Sequence, residues 1–259
     1  RGNSAYVIVE GPTWEEAEAN ANKLGGHLVT INDSDEFNWI LNQYSEYKNT
    51  NAKYEYGKHK VYIGLNDKEA NNQWNWISQE DSSWSPTWWN GEPDNLGETA
   101  TELYIADTQH WRTFKKGEIN DVNNEFITGL SETHFIRRDD SAYVIVEGPS
   151  WEEAEANANK LGGHLVTIDD AEEDSFLVEQ FGLGYFFGLN DLSNEGSFEW
   201  VSGEQVTYTN WHLNYQPDND NGIQHYGAYH PSFQGGWDDV GNGQAGIIGG
   251  IAEIKLSPN

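Results

Sequence analysis

Between residues 92 and 121 the chain carries oxygen donors at a spacing that suits a hard cation. Glu92 and Asp94 flank Pro93, Glu98 and Glu102 follow, and Asn120 and Asp121 close the stretch. No thiol or imidazole stands among these candidates. Calcium takes about 6–8 oxygens at roughly 2.3–2.6 Å in flexible geometry, so the set suits calcium better than zinc. The side chains of Glu92 and Asp94 can point the same way only if Pro93 bends the backbone. Cis bonds are essentially a proline feature of tight turns, so a cis bond is expected at Pro93. The plain alternative is a solvated acidic loop in an acidic protein.

The second half of the chain weighs against that alternative. Trp211 leads into Gln216, Pro217, Asp218 and Gln224, and Asp238 and Asp239 follow Trp237. The order is the same in both halves: an aromatic lead-in, a carboxylate or amide, a proline, an aspartate and a later Asn-Asp or Asp-Asp pair. Two unrelated acidic loops would not share it. A cis bond is expected at Pro217 for the same reason as at Pro93.

The elements that must position these residues repeat too. Ser4 to Ile31 returns as Ser141 to Ile168 with a single change, Thr13 to Ser150. Internal repetition at a fixed offset marks a repeated module, and the boundary is placed at residues 137/138, giving domains 1–137 and 138–259. Each copy opens on a β-branched strand, Tyr6 to Val9 in the first. Thr13 with Glu16, and Ser150 with Glu153, form capping boxes that start a helix. Ala17, Ala21 and Leu24 give that helix a small apolar face, and Gly25 and Gly162 suit its left-handed end. His27 and His164 fall on the polar phase of the next strand and read as structural residues.

A second helix is expected over 34–44 and 171–181. Strands follow at 61–65 and 185–189, and closing strands at 127–136 and 247–256. Trp74, Trp76, Phe198 and Trp200 read as core aromatics, not as sugar platforms. Copy one carries an insertion over 45–60 that copy two lacks.

At 259 residues the chain is long enough for two cores. Lys and Arg number 14 against 43 Asp and Glu, a formal charge of −29. Nucleic acid and anionic membranes are therefore poor partners and cations good ones. Aromatic content of 14% with 12 Trp argues against disorder. No apolar run approaches the length of a membrane span. Arg1-Gly2-Asn3 does not open a signal peptide, which suggests a fragment or a processed form of a larger surface protein. With no Cys, no disulfide framework is possible.

Taken together, Trp14, Ala17, Leu24-Gly25-Gly26-His27-Leu28-Val29, Tyr62-Ile63-Gly64-Leu65, Trp74-Asn75-Trp76, Glu92-Pro93-Asp94 and Asn120-Asp121 resemble the C-type lectin domain, present twice. The resemblance implies an α+β fold of two tandem double-loop domains. In each, two helices flank small antiparallel sheets and a long loop binds calcium.

It implies calcium ligands Glu92, Asp94, Glu102, Asn120 and Asp121 in the first copy, and Gln216, Asp218, Gln224, Asp238 and Asp239 in the second. Glu102 is preferred to Glu98 because it lies two residues before Tyr104, which is set at a family cysteine position. Glu92, Asp94, Asn120, Gln216, Asp218 and Asp238 would also meet sugar hydroxyls. Gln-Pro-Asp resembles galactose-type recognition, whereas the hybrid Glu-Pro-Asp leaves the first copy's sugar class open. Gln224 in place of an acid should weaken the second metal site.

Ala21 and Ser131, and Ala158 and Ala252, stand where the family pairs cysteines. Tyr104/Asn124 and Tyr226/Asn242 replace a second pair. Absent bridges suggest a bacterial relative. Leu103 and His225 stand where acids would be needed for a second family calcium site, so none is expected.

The resulting expectation is a calcium-dependent glycan-binding tandem module, extracellular or on a cell surface. The alternative is a structural or protein-interaction module in which calcium only stiffens loops. An enzyme is not expected, because the fold's catalytic relatives use cysteines and clustered acids are better explained by a metal.

Overall fold

The computed structural model describes residues 1–50, 52, 55–68, 73–94, 97–109, 113–123 and 127–256. Asn124 lies outside them. The chain divides into two compact units, the first mainly Asn3–Asn22 with Gly26–Thr133 and the second mainly His134–Asn259.

In the first unit the elements run β1 Ser4–Val9, α1 Trp14–Lys23, β2 His27–Leu28, α2 Ser34–Gln43, β3 Lys60–Asn66, β4 Asn75–Trp76 and β5 Thr87–Trp88. They continue with β6 Ala100–Tyr104, the short hairpin β7 Thr108–Gln109 and β8 Thr113–Phe114, β9 Glu118–Val122 and β10 Thr128–His134. One sheet has the order β1-β10-β3-β6-β9-β5, with β2 on β10 and β4 on β3.

The second unit begins with β11 Ile136–Arg138 and β12 Ser141–Glu147, then α3 Trp151–Lys160, β13 His164–Leu165 and α4 Ala171–Phe181. It ends with β14 Tyr185–Asn190, β15 Glu199–Trp200, β16 Tyr226–Tyr229, β17 Trp237–Val240 and β18 Gly249–Lys255. Its sheet order, β11-β12-β18-β14-β16-β17, repeats the first over five strands, with β11 added at one edge and the bridge Trp211–Trp237 at the other in the place of β5. In each unit the central pairing is parallel, β3 with β10 and β14 with β18. This is the α+β architecture that the resemblance implies, with sheets that are mixed and not wholly antiparallel.

Local chemistry sets the helices. Glu16 N donates to Thr13 Oγ1 at 3.1 Å and Glu153 N to Ser150 Oγ at 3.3 Å, so Thr13 and Ser150 cap α1 and α3, and each hydroxyl donates in turn to the glutamate carboxylate. Asp33 and Asp170 cap α2 and α4 by accepting from Glu36 N and Glu173 N. Gly25 and Gly162 end α1 and α3 at φ of +77° and +86°.

The first core joins Val29, Ile31, Ile40, Val61, Ile63, Leu103, Ile119 and Leu130, with Trp74, Trp76 and Trp88 packed on it. The second joins Val166, Leu177, Phe187, Trp200, Tyr229, Trp237 and Ile251. Trp74, Trp76, Phe198 and Trp200 thus belong to the cores. His27 and His164 sit at the surface, each 2.6 Å from a glutamate, Glu18 or Glu155.

Candidate calcium and sugar sites

In the first unit the long loop after β5 brings Glu92 and Asp94 against β9. The Glu92-Pro93 bond is cis, and Asp94 N donates to Glu92 Oε2 at 2.9 Å. Carboxylate oxygens of Glu92, Asp94 and Asp121 lie within 4.8 Å of one another. Asp121 is buried at 1% exposure, while Asp94 faces solvent. Burial, followed by the Asp121 and Asp94 carboxylates, pushes the Glu92 carboxyl up to about 7. Beside this group the Asn120 Oδ1 is buried and accepts no hydrogen bond.

The second unit repeats the arrangement in part. The Gln216-Pro217 bond is cis. Asp239 accepts from Asp218 N at 2.9 Å and Asn219 N at 2.8 Å, which ties the loop to β17. Burial, then Asp239 and Asp218, pushes the Asp238 carboxyl up to about 7. Gln216 Oε1 and Asp238 Oδ1 are buried and accept no hydrogen bond. Gln224 Oε1 is taken by Asp220 N within its own loop. Asp218, Asp238 and Asp239 do not form a gathered group like that of the first unit.

These residues fit a calcium ion. Buried acceptors without donors, next to carboxyls whose pKa is raised by burial and then by one another, suit a bound cation. The donor atoms are all oxygen, as calcium requires.

Glu102 stands opposite Asn120 and accepts from its Nδ2 at 3.4 Å, but lies outside the Glu92–Asp94–Asp121 group. It lies inside β6 at 0% exposure, and its Oε1 takes Lys60 Nζ at 2.6 Å and Tyr104 Oη at 3.0 Å. Strand register shows which residue occupies the corresponding place. Ala100 pairs with Val122 as Tyr226 pairs with Val240. Asp67 N donates to Thr99 O as Asp191 N donates to His225 O, both at 3.1 Å. Glu98 therefore matches Gln224, Ala100 matches Tyr226, and Glu102 matches Ala228. The cysteine position assigned to Tyr104 belongs to Ala100. The loop after Pro93 is two residues shorter than its counterpart after Pro217, so counting back from Tyr104 and pairing strands by register single out different glutamates.

The aromatics near the second site differ in exposure. Tyr229 is fully buried and donates to Asp174. Trp211 packs on Phe198 and Trp237. Tyr215 is 76% exposed, directly before Gln216.

A residue that sequence reasoning missed is Asp174 on α4. This buried carboxylate accepts from Tyr208, Asn210, Tyr229 and Trp237 Nε1, the last at 2.9 Å. It thereby anchors the base of the long loop and the residue preceding Asp238. The signal was a break in the repeat, because the first unit has Phe37 at that place.

The fold and these loops define a domain class, and comparison with known proteins agrees. The family model of the C-type lectin domain matches twice, over residues 10–125 and 147–242. The chain belongs to the C-type lectin domain family, a family of carbohydrate-recognition modules, some of which bind no sugar, that typically bind calcium.

A perlucin-like protein of Mytilus galloprovincialis is 35% identical over 101 residues, covering 36% of this chain and 64% of that protein. C-type mannose receptor 2 of Rattus norvegicus is 26% identical over 230 residues, covering 80% of this chain and 15% of the receptor. The chain thus spans less than two thirds of either relative. An alpha-N-acetylgalactosamine-specific lectin of Patiria pectinifera is 36% identical over 83 residues, covering 28% of this chain and 49% of that lectin. Among solved structures, the mouse scavenger receptor C-type lectin carbohydrate-recognition domain matches at 26% identity and a TM-score of 0.43. That match covers 49% of this chain and 97% of the domain. Among the described residues no helix is long and apolar enough to cross a membrane.

Proposed function

We propose that the chain is a calcium-dependent glycan-binding tandem module of an extracellular or surface protein, serving adhesion, of the cysteine-free kind expected of a bacterial relative. The observation that carries this reading is the set of buried acceptors without donors (Asn120 Oδ1, Gln216 Oε1 and Asp238 Oδ1) beside carboxylates that raise one another's pKa. The first site would use Glu92, Asp94, Glu98, Asn120 and Asp121. The second would use Gln216, Asp218, Asp238 and Asp239, with Gln224 at the place of Glu98. A calcium ion there would neutralise the clustered carboxylates and offer coordination positions to sugar hydroxyls.

The protein's own side chains would select the sugar. Gln216 presents an amide, which can donate, and Asp218 a carboxylate, which only accepts. Exchanging that pair reverses the hydrogen-bond polarity met by two neighbouring hydroxyls, and a mismatched hydroxyl pair leaves buried groups unsatisfied. The second unit is therefore assigned to galactose-type glycans, with Tyr215 placed to cover the sugar's apolar face. The first unit's sugar class is left open.

Calcium titration by calorimetry, followed by a glycan array with and without EDTA, tests this. Two calcium sites are expected, the first tighter because it has four carboxylates against three and ligand charge tunes affinity. Galactose-type binding should vanish in EDTA, and Gln216→Glu with Asp218→Asn should shift preference toward mannose. Glycan binding unchanged by EDTA would overturn the proposal. Calcium binding without any glycan binding would leave a structural module instead.

A further inference from the structure

Two atoms of the second unit's site, Gln216 Oε1 and Asp238 Oδ1, are buried and accept no hydrogen bond. Their positions are therefore set by the backbone that carries them. That backbone is tied from both sides to one carboxylate, Asp174 on α4, which is 4% exposed. Its Oδ2 accepts from Tyr208 Oη at 3.0 Å and from Asn210 Nδ2 at 2.7 Å. Its Oδ1 accepts from Tyr229 Oη, and from Trp237 Nε1 at 2.9 Å. A carboxylate offers about four lone-pair sites, so this one is fully used. Burial, then the Asp174 carboxylate, pushes the Tyr208 hydroxyl up to about 12 and raises that of Tyr229, so both stay donors at neutral pH.

The donors sit where the site residues begin. Tyr208 and Asn210 lead into the loop that presents Gln216 and Asp218. Trp237 directly precedes Asp238, and Tyr229 pairs with Trp237 across β16 and β17. The two segments also meet directly, because Trp237 N donates to Asn210 O at 2.8 Å. A buried polar network with every member satisfied is rigid. A disturbance at Asp174 therefore moves the Gln216 loop relative to Asp238.

The first unit shows that the fold itself does not need this carboxylate. Phe37 follows the cap Asp33 at the same distance as Asp174 follows the cap Asp170. The Phe37 ring packs on Trp84 at 5.0 Å. Leu103 pairs with Ile119 as Tyr229 pairs with Trp237. One acceptor and two of its donors are thus exchanged together for apolar groups, whose attraction fills space without direction. The directional set belongs to the unit with the longer loop. We propose that Asp174 is a positioning residue for the second unit's calcium and sugar site, fixing the Gln216–Asp218 loop against Asp238 and Asp239 before any ligand arrives. The inference rests on the function proposed above.

The test uses the full chain with its first site silenced by Glu92→Gln and Asp94→Asn. Asp174→Asn keeps the shape but turns acceptor sites into donors. Leu177→Ala is the control, since it opens the same core from the same helix and leaves the carboxylate alone. One readout is hydrogen exchange of the Asp218 and Asn219 amides in EDTA, because both donate to Asp239 and report the loop without ligand. The other is calcium affinity by calorimetry. Asp174→Asn should speed the exchange and weaken calcium by about tenfold or more, the effect typical of an outer-shell partner. Leu177→Ala should lower the melting temperature and leave both readouts near wild type. Tyr208→Phe with Asn210→Ala changes side chains that are not buried, so this arm survives if Asp174→Asn misfolds. It should move both readouts in the same direction. Readouts unchanged in both the Asp174 and the double variant, or moved equally by Leu177→Ala, would overturn the proposal and leave a core hydrogen-bond network only. Faster exchange in a chain whose second site takes no calcium at all would count against the proposed function and leave the loop positioning by Asp174 standing.

Discussion

Glu98 and Glu102 are four residues apart and have opposite situations. Glu102 is buried against Lys60, whose own side chain is only 3% exposed. Breaking a buried pair from one side leaves an uncompensated charge and costs about 3–5 kcal/mol. Glu102→Gln should therefore lower the melting temperature clearly while leaving calcium affinity of the first site nearly intact. Glu98→Gln should do the reverse, with a several-fold loss of calcium affinity and little change in the melt measured in EDTA. Calorimetry and thermal melts of the two variants decide between the two glutamates.

Asp238 gives a pH dependence whose sign can be worked out. Its folded carboxyl titrates at about 7 against an ordinary value of 3.8, so the folded chain holds the proton longer than the unfolded one. Folding is thus favoured by protonation, and this contribution is present below the unfolded value and lost as pH rises through about 7. In EDTA, the melting temperature should fall between pH 5 and pH 8, and Asp238→Asn should flatten that fall. An equal slope in the variant would assign the effect to the general negative charge.

At the scale of elements, each unit depends on a helix lying directly on a strand where a bridge is absent. A Cβ added at Gly129 would sit 2.9 Å from Ala17 Cβ, and one at Gly250 would sit 2.9 Å from Ala154 Cβ. These contacts let α1 and α3 approach β10 and β18 closely. One helical turn beyond Ala154 is Ala158, and two strand residues beyond Gly250 is Ala252; both steps advance about 6 Å. The two alanines are completely buried. Replacing both with cysteine should form a disulfide under oxidation and stabilise the second unit by about 2–4 kcal/mol. Denaturant melts with and without reductant check this, and no difference between them would place the two residues out of reach.

The second family cysteine position is filled differently. Tyr226 Oη and Asn242 Nδ2 both donate to Glu152, the latter at 2.8 Å, and the Tyr226 ring stacks on Trp151 at 5.3 Å. A hydrogen-bonded bridge to α3 stands where a covalent one would be.

For the whole molecule, each unit has its own sheet and its own core. Strand β11 pairs with β12, Ile136 opposite Tyr143, so a cut between Thr133 and His134 keeps that hairpin together. Residues 1–133 and 134–259 expressed separately should each show a cooperative melt. Two fragments that become ordered only on mixing would refute independent folding. Calcium should raise both melts, because a ligand that binds only the folded state stabilises it by mass action.

The repeat, the helix caps, the core aromatics and the cis-proline loops were all legible in the sequence, because each depends on residues within a few positions of one another. Thr13 with Glu16, or Glu92 with Pro93 and Asp94, needs no distant partner to be recognised. What tertiary structure decided was register. Which glutamate of the first unit corresponds to Gln224 of the second depends on how β6 pairs with β9, and a shortened loop hides that from any count along the chain. Asp174 on α4 reaching Trp237, 63 positions on, and His225 meeting Asp191, 34 positions back, are likewise contacts that only the folded chain makes. Contacts over such separations are set by sheet pairing and packing, which local spacing cannot encode.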